Sequence, residues 1–131
     1  MESEQTSVRR PLILVAEDDD SNFKLIKAII GKKCDIQWAK NGEEIVALFK
    51  EYGNEAKAIL MDIKMPVMNG LDATKIIRGE NKEIPIIMQT AYAFSSDKEN
   101  AMNAGASEVL VKPITLSILR NTLTKWKWIC G

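Results

Sequence analysis

Four short polar segments contain the side chains with which this chain could do chemistry. Carboxylates are grouped from Glu17 to Asp20, another stands at Asp62, and a hydroxyl and an ammonium group stand at Thr90 and Lys112. Mg²⁺ prefers carboxylate oxygens, a lysine can pair with a phosphoryl oxygen, and a hydroxyl can donate to another. If these segments meet in the fold, they fit phosphoryl transfer to a carboxylate, with one Asp as the nucleophile.

The composition excludes several other chemistries. The 131 residues include no histidine, which rules out a Ser-His-Asp or Cys-His site, a His-ligated zinc and a phosphohistidine on this chain. Basic and acidic residues are equal in number, 18 of each, which argues against a general electrostatic grip on DNA or RNA. Any reaction must therefore use carboxylates, lysine, hydroxyl groups or a metal ion held by oxygen.

The cysteines and the apolar runs predict the setting of the chain. Cys34 and Cys130 lack the Cys-x-x-Cys spacing of a zinc or redox site, and we expect reduced thiols. No apolar run approaches the ~20 residues of a membrane span, and the N-terminus has no signal-peptide core. We expect a cytoplasmic chain without direct membrane or nucleic-acid contact. One domain is predicted over 11–128, between a short linker or remnant at 1–10 and a tail at 129–131.

Short apolar runs alternate with amphipathic stretches along this domain. The apolar runs predict strands over 12–16, 35–39, 57–61, 84–89 and 109–111. Helices are predicted over 22–30, around 45–49 and 71–77, and over 95–104 and 114–128. Because parallel strands need crossovers and helices supply them on both faces, we predict an α/β fold in three layers. At its centre we expect a doubly wound, five-stranded parallel sheet with the flavodoxin-like strand order 2-1-3-4-5.

The candidate residues follow strands of this predicted sheet. Sites in open parallel sheets form beyond the carboxyl ends of the strands, where the strand order switches. Each residue alone has an ordinary alternative, since an Asp after a strand often caps a helix and a lone lysine is often a surface residue. The candidate caps are Asp19, Asp20 or Ser21 for the first helix and Asn69 for the third. The functional interpretation depends on convergence at consecutive strand ends.

The motifs around these residues resemble the receiver domain of two-component response regulators. They are ILVAED at 13–18, LMDIKMPVMNG at 60–70, QTA at 89–91, GAS at 105–107 and LVKPI at 110–114. The resemblance covers about 11–125, nearly the whole chain. The DIKMPVMNG block and the Ala-Tyr-Ala that begins at Ala91 are most similar to receivers of hybrid sensor histidine kinases.

The resemblance implies an acceptor and a set of Mg²⁺ ligands. Asp62 would be the phosphoacceptor, Asp18 would bind Mg²⁺ directly, and Glu17 would act partly through a metal-bound water. The backbone carbonyl of Lys64 would be a further ligand. We also expect the Lys64 side chain to pair with the phosphoryl group and obstruct the water that removes it.

The resemblance implies roles for residues of the last two strand ends as well. Thr90 would hydrogen-bond the phosphoryl group and move when it arrives, and Lys112 would pair with a phosphoryl oxygen. The Lys112-Pro113 peptide bond is expected to be cis, and Gly70 is expected to let the loop after Asp62 turn into the third helix.

One position departs from the receiver pattern. Receivers usually carry Tyr or Phe three residues before the strand-five lysine, and this chain has Val109 there. The usual account couples movement of Thr90 to rotation of that ring, which Val cannot reproduce. Tyr92 is a candidate for a different aromatic switch on the loop after strand four.

The resemblance also implies a phosphoryl donor, either a histidine kinase or a histidine phosphotransfer domain. Because this chain has no histidine, the donor would lie on another domain or protein. We expect contact through Asn22, Phe23 and Ile26 of the first helix and the loop Lys112-Pro113-Ile114. The face formed by helix four, strand five and helix five is a candidate homodimer surface.

Three other functions remain open at this point. One is an aspartate-nucleophile phosphohydrolase. Such enzymes carry an Asp-x-Asp motif at the nucleophile, but this chain has Lys64 where the second Asp would be. A receiver-like interaction module that is not phosphorylated is a second alternative. A flavin protein of the same fold class is a third, although the acidic segment 17–20 would repel a flavin phosphate.

Overall fold

The structure, a computed structural model, describes residues 10–91 and 96–126. Five parallel strands form one sheet in the order β2-β1-β3-β4-β5. The strands are β1 (Leu12–Ala16), β2 (Asp35–Ala39), β3 (Ala56–Asp62), β4 (Ile86–Thr90) and β5 (Glu108–Val111). The helices are α1 (Asp20–Ile30), α2 (Gly42–Tyr52), α3 (Gly70–Glu80), α4 (Asp97–Ala104) and α5 (Leu116–Lys125). The predicted fold class and strand order are confirmed.

The sheet is covered on both faces, which explains why its strands are apolar throughout. On one face, α2, α3 and α4 bury Ile45, Phe49, Ile77 and other side chains against alternate strand residues. On the opposite face, the buried side chains come from α1 and α5. Strand β1 shows the consequence, because Ile13 to Ala16 are all fully buried.

Side-chain caps set where the helices begin. Asp19 caps α1 by accepting a hydrogen bond from the Asn22 N–H at 3.1 Å, and Asn69 caps α3 in the same way. Both residues were among the predicted caps. Helix α4 is capped at its carboxyl end by Gly105, whose φ of +119° is in the left-handed region that favours glycine.

Several element ends differ from the sequence-based boundaries. Strand β4 begins at Ile86 rather than at 84, because Pro85 has no N–H to donate to the ladder. Helix α5 begins at Leu116 rather than at 114, since Thr115 caps it and accepts from the Ile118 N–H. Ile114 instead packs into the core.

The chain ends are only partly described. Arg10, placed in the predicted linker, pairs with Asp35 and donates to the carbonyl of Cys34. The rest of that linker, the tail at 129–131, Cys130 and Tyr92 lie outside the described residues, so the expectations for them stay predictions. In the part of the chain that the structure describes, no helix has the length and apolar character to cross a membrane.

Candidate functional site

The three predicted acidic residues meet at the carboxyl edge of the sheet. Strands β1 and β3 are neighbours with Ala16 opposite Met61, so the residues that follow or end them converge. Carboxylate oxygens of Glu17, Asp18 and Asp62 all lie within 4.8 Å of one another. An all-oxygen set of this size suits a hard divalent cation such as Mg²⁺.

Lys112 brings the end of β5 into this group. Its Nζ lies 2.9 Å from Asp62 Oδ2 and 3.7 Å from Glu17 Oε1. Burial lowers the pKa of Lys112, but the hydrogen bond and charge of Asp62, with the charge of Glu17, outweigh it and leave that pKa raised. Lys112 is therefore a cation at neutral pH, and its peptide bond to Pro113 is cis, as expected.

Glu17 is the most buried of the carboxylates, with none of its surface exposed. Its Oε1 accepts from Asn22 Nδ2 at 2.6 Å, and its Oε2 accepts from the Asp19 N–H at 3.2 Å. Burial first, and then the charge of Asp62, raise the pKa of Glu17 to about 7. Near neutral pH, a proton and a divalent cation therefore compete for this carboxylate.

A cavity of about 160 Å³ lies beside Asp62. Its lining comes from the ends of β3, β4 and β5 and the start of α4: Asp62, Ile63, Lys64, Gln89, Thr90, Ala91, Asp97 and Lys112. The Thr90 hydroxyl is buried and lies 3.4 Å from Asp97 Oδ2. The fold thus places all the predicted site residues from β3, β4 and β5 around one opening.

Gly70 is required by close backbone packing, in addition to the loop turn expected of it. A Cβ at this position would lie 2.1 Å from the backbone oxygen of Asp62 and 3.0 Å from side-chain atoms of Met61 and Met88. The Gly70 N–H also donates to the carbonyl of Ile63 at 2.8 Å. The glycine is needed because α3 starts against the backbone that carries the candidate acceptor.

Sequence reasoning missed three residues at this edge. Asp97 lines the cavity and lies next to Thr90, although no local sequence pattern indicates that it is near the site. Gln89 is fully buried next to Asp62 in the sheet, and among the described residues its side-chain N and O atoms have no hydrogen-bond partner. Trp38 donates its indole N–H to the carbonyl oxygen of Glu17 at 2.8 Å.

The expected partner surface needs correction. Phe23, Ile26 and Ile114 are buried at 8%, 0% and 3% exposure, so their side chains pack in the core and offer no contact surface. The pattern misled because apolar residues near a site can equally be the inward stripe of a helix. On α1, the exposed large apolar side chain is that of Leu25, which is 43% exposed.

Comparison with known proteins decides the family. The family model for the response regulator receiver domain matches residues 13–124. This chain belongs to the response regulator receiver domain family. Four of the five receiver motifs recognised in the sequence lie at the carboxyl edge of the sheet, and the fifth, GAS at 105–107, precedes β5. Two-component signal transduction is the setting of this family.

The curated relatives of this receiver domain are much longer proteins, and the chain spans only a small part of their length. It is 41% identical over 115 residues to hybrid signal transduction histidine kinase I of Dictyostelium discoideum, covering 82% of this chain and 7% of that protein. It is 33% identical over 147 residues to the oxidative stress response two-component system protein SSK1 of Candida albicans. That match covers 87% of this chain and 22% of that protein.

Solved receiver structures share the fold over almost their whole length. The receiver domain of sensor histidine kinase PA1611 of Pseudomonas aeruginosa has a TM-score of 0.83 and 33% identity, covering 90% of this chain and 98% of that one. That structure has a magnesium ion coordinated in the active site cleft. The receiver of Saccharomyces cerevisiae Ssk1, solved in complex with the histidine phosphotransfer protein Ypd1, has a TM-score of 0.82 and 30% identity. That match covers 89% of this chain and 88% of that one.

Proposed function

We propose that Asp62 of this receiver domain accepts a phosphoryl group from a partner's phosphohistidine. An oxygen of Asp62 forms the new P–O bond while the P–N bond of the donor breaks, and its electron pair stays on the imidazole nitrogen. The observation that carries the proposal is the convergence of Asp62, Lys112 and two further carboxylates at one sheet edge. The product is an acyl phosphate, whose hydrolysis resets the domain.

We place Mg²⁺ in the acidic cluster. Asp18 and Asp62 would be the direct carboxylate ligands, the Lys64 carbonyl would be a third protein ligand, and Glu17 would act partly through a water on the ion. The three carboxylate groups within 4.8 Å support this assignment, since such a set repels itself without a cation. When bound there, Mg²⁺ neutralises charge on the transferring phosphoryl group.

Thr90 and Lys112 handle the phosphoryl oxygens. Lys112 pairs with one oxygen, for which it gives up part of its contact with Asp62. The buried Thr90 hydroxyl turns from Asp97 towards another oxygen, so that arrival of the phosphoryl group changes the start of α4. Because Val109 replaces the usual aromatic residue on β5, no ring rotates at this position during the change.

We propose a histidine kinase or a histidine phosphotransfer protein as the donor. The Ssk1 receiver, similar in fold, is solved with such a protein. The outward surface of α1 beside Glu17, with Asn22 and the exposed Leu25, is the candidate docking surface. We also propose that the domain forms a homodimer through α4, β5 and α5. A cytoplasmic location is a further proposal, which the buried free thiol of Cys34 suits.

Intact mass spectrometry after incubation with acetyl phosphate tests the acceptor. We expect a Mg²⁺-dependent gain of one phosphoryl group in the wild-type chain and in Asp72→Ala, which removes an exposed carboxylate on α3. Asp62→Ala should show no gain. Incubation with a phosphorylated histidine phosphotransfer protein should give the same pattern.

Two results would overturn the proposal. Absence of a mass gain from both donors, with Mg²⁺ bound, would instead indicate an interaction module that is not phosphorylated. Sustained release of phosphate from phosphomonoesters would indicate a phosphohydrolase.

A further inference from the structure

A tryptophan on the edge strand holds the backbone of the acidic loop. Trp38 on β2 lies in register with Val15, two residues before Glu17. Its indole N–H donates to the Glu17 carbonyl oxygen at 2.8 Å. This bond joins residues 21 positions apart and ties the end of β1 to a neighbouring strand.

The orientation of the indole is itself constrained. The ring stacks on Phe23 of α1 with centroids 3.9 Å apart and an interplanar angle of 1°. Lys40 Nζ lies 4.8 Å from the ring centroid and 3.5 Å from Asp20 Oδ1. With the ring held between α1 and Lys40, its N–H has a defined direction.

The remaining donors to Glu17 come from the loop and helix next to it. Asn22 Nδ2 and the Asp19 N–H hold the two carboxylate oxygens. These bonds fix the carboxylate relative to α1. The Trp38 bond holds the carbonyl side of the Glu17 main chain against the sheet, and the Glu17 N–H, which donates to the Ala39 carbonyl of β2 at 2.9 Å, holds the other side. Together these bonds set the direction in which the carboxylate faces Asp62 on β3.

We propose that Trp38 is a positioning residue for the divalent-cation site, acting through its indole hydrogen bond to Glu17. The inference rests on the proposed Mg²⁺ site and adds a residue that touches neither the ion nor the phosphoryl group. Groups that orient metal ligands usually contribute about 10–100-fold to metal affinity. Because Trp38 acts on the main chain rather than on a ligand oxygen, we place its effect near tenfold.

The experiment compares Mg²⁺ affinity in three proteins by isothermal titration calorimetry without a phosphodonor. Trp38→Phe keeps an aromatic ring against Phe23 but removes the N–H donor. Trp126→Phe is the matched control. It removes the indole N–H of the residue that follows α5, which donates to the Glu108 carboxylate at the start of β5. We expect the dissociation constant to rise about tenfold in Trp38→Phe and to stay at the wild-type value in Trp126→Phe.

A residue-specific signature separates positioning from general stability. In ¹H–¹⁵N spectra of the wild-type protein, the Trp38 indole N–H resonance should shift during Mg²⁺ titration and saturate with the calorimetric affinity. This measurement decides the question even where Trp38→Phe does not fold. The Trp126 indole resonance should not follow the titration.

The outcomes are distinct. Equal affinity in wild type and a folded Trp38→Phe, or a Trp38 resonance that ignores Mg²⁺, would overturn this inference and leave the metal site standing. Failure of the wild-type protein to bind Mg²⁺ would overturn the metal site, and this inference with it.

Discussion

Lys112 Nζ lies 2.9 Å from Asp62 Oδ2, so the candidate acceptor is paired with a cation from the far edge of the sheet. The same ammonium is 3.7 Å from Glu17 Oε1. One lysine therefore offsets part of the repulsion between carboxylates carried by β1 and β3. This arrangement places a cation beside the acceptor, where phosphoryl charge would arrive.

Replacing that lysine should separate metal binding from phosphoryl transfer. Lys112→Met should slow phosphorylation by acetyl phosphate at least about tenfold, because a charge-assisted hydrogen bond is worth roughly 1.5–3 kcal/mol. Mg²⁺ affinity should hold or increase, since a competing cation is removed. Lys125→Met, which breaks an exposed pair with Glu108, is the control and should change neither quantity. Wild-type phosphorylation rates in Lys112→Met would contradict the assigned role.

The exposed Lys64 beside the acceptor should lengthen the life of the acyl phosphate. An exposed ion pair is worth about 0.2–1 kcal/mol, so Lys64→Asn should hydrolyse roughly 1.5–5 times faster. Loss of the phosphorylated mass with time measures this directly. Lys57→Asn, near the other end of β3, serves as the control. Equal or slower hydrolysis in Lys64→Asn would show that the side chain does not shield the phosphoryl group.

The pKa of Glu17 predicts an unusual dependence of stability on pH. That pKa is about 7 in the folded chain against an ordinary 4.5, so between these values the folded state binds more protons than the unfolded one. The stabilisation is therefore complete below about pH 4.5 and is lost as the pH rises to about 7. At one pKa unit per 1.36 kcal/mol, the loss is about 3 kcal/mol.

Chemical denaturation in EDTA at pH 5 and pH 8 measures this effect. Glu17→Gln should remove most of the difference between the two pH values. Mg²⁺ affinity of the wild-type chain should increase as the pH rises to about 7, because the proton and the ion compete for the carboxylate. An identical pH profile in Glu17→Gln would mean that another group titrates in this range.

Two glycines of α3 should respond to alanine in opposite directions. Gly70→Ala forces a methyl group against the Asp62 carbonyl and should lower the free energy of unfolding by about 1–3 kcal/mol. It should also slow phosphorylation, because the acceptor backbone must shift. Gly79→Ala has open space around its Cβ and should raise stability by roughly 0.5–1 kcal/mol. Thermal and urea unfolding would reveal both, and destabilisation by both variants would contradict the steric argument.

The buried amide of Gln89 should be replaceable with a gain in stability. An unsatisfied buried polar group costs about 1–3 kcal/mol, so Gln89→Met, similar in shape, should raise the free energy of unfolding by about that amount. Gln37→Met at a half-buried position on β2 is the comparison and should have a smaller effect. A fall in stability in Gln89→Met would show that the amide has a partner, such as a bound water.

The short-range pattern of the sequence was sufficient for the fold class and for most of the site. Continuous apolar runs separated by amphipathic stretches predict a covered parallel sheet, because burial on two faces requires them. Once that topology is accepted, residues at the strand ends must share one edge. Five residues are thereby predicted at that edge, and their proposed roles come from the receiver motifs: Glu17, Asp18, Asp62, Thr90 and Lys112.

Only the tertiary structure decided which contacts those residues make. The pairs Trp38–Glu17 and Lys112–Asp62 join positions 21 and 50 residues apart, and such hydrogen bonds depend on how helices and strands pack rather than on local pattern. Packing also turned Phe23 and Ile26 inward, removed space for a side chain at Gly70, and raised the pKa of Glu17 by burying it. Apolar periodicity is a property of each segment, whereas distance, burial and pKa arise only when segments far apart in the chain are brought together.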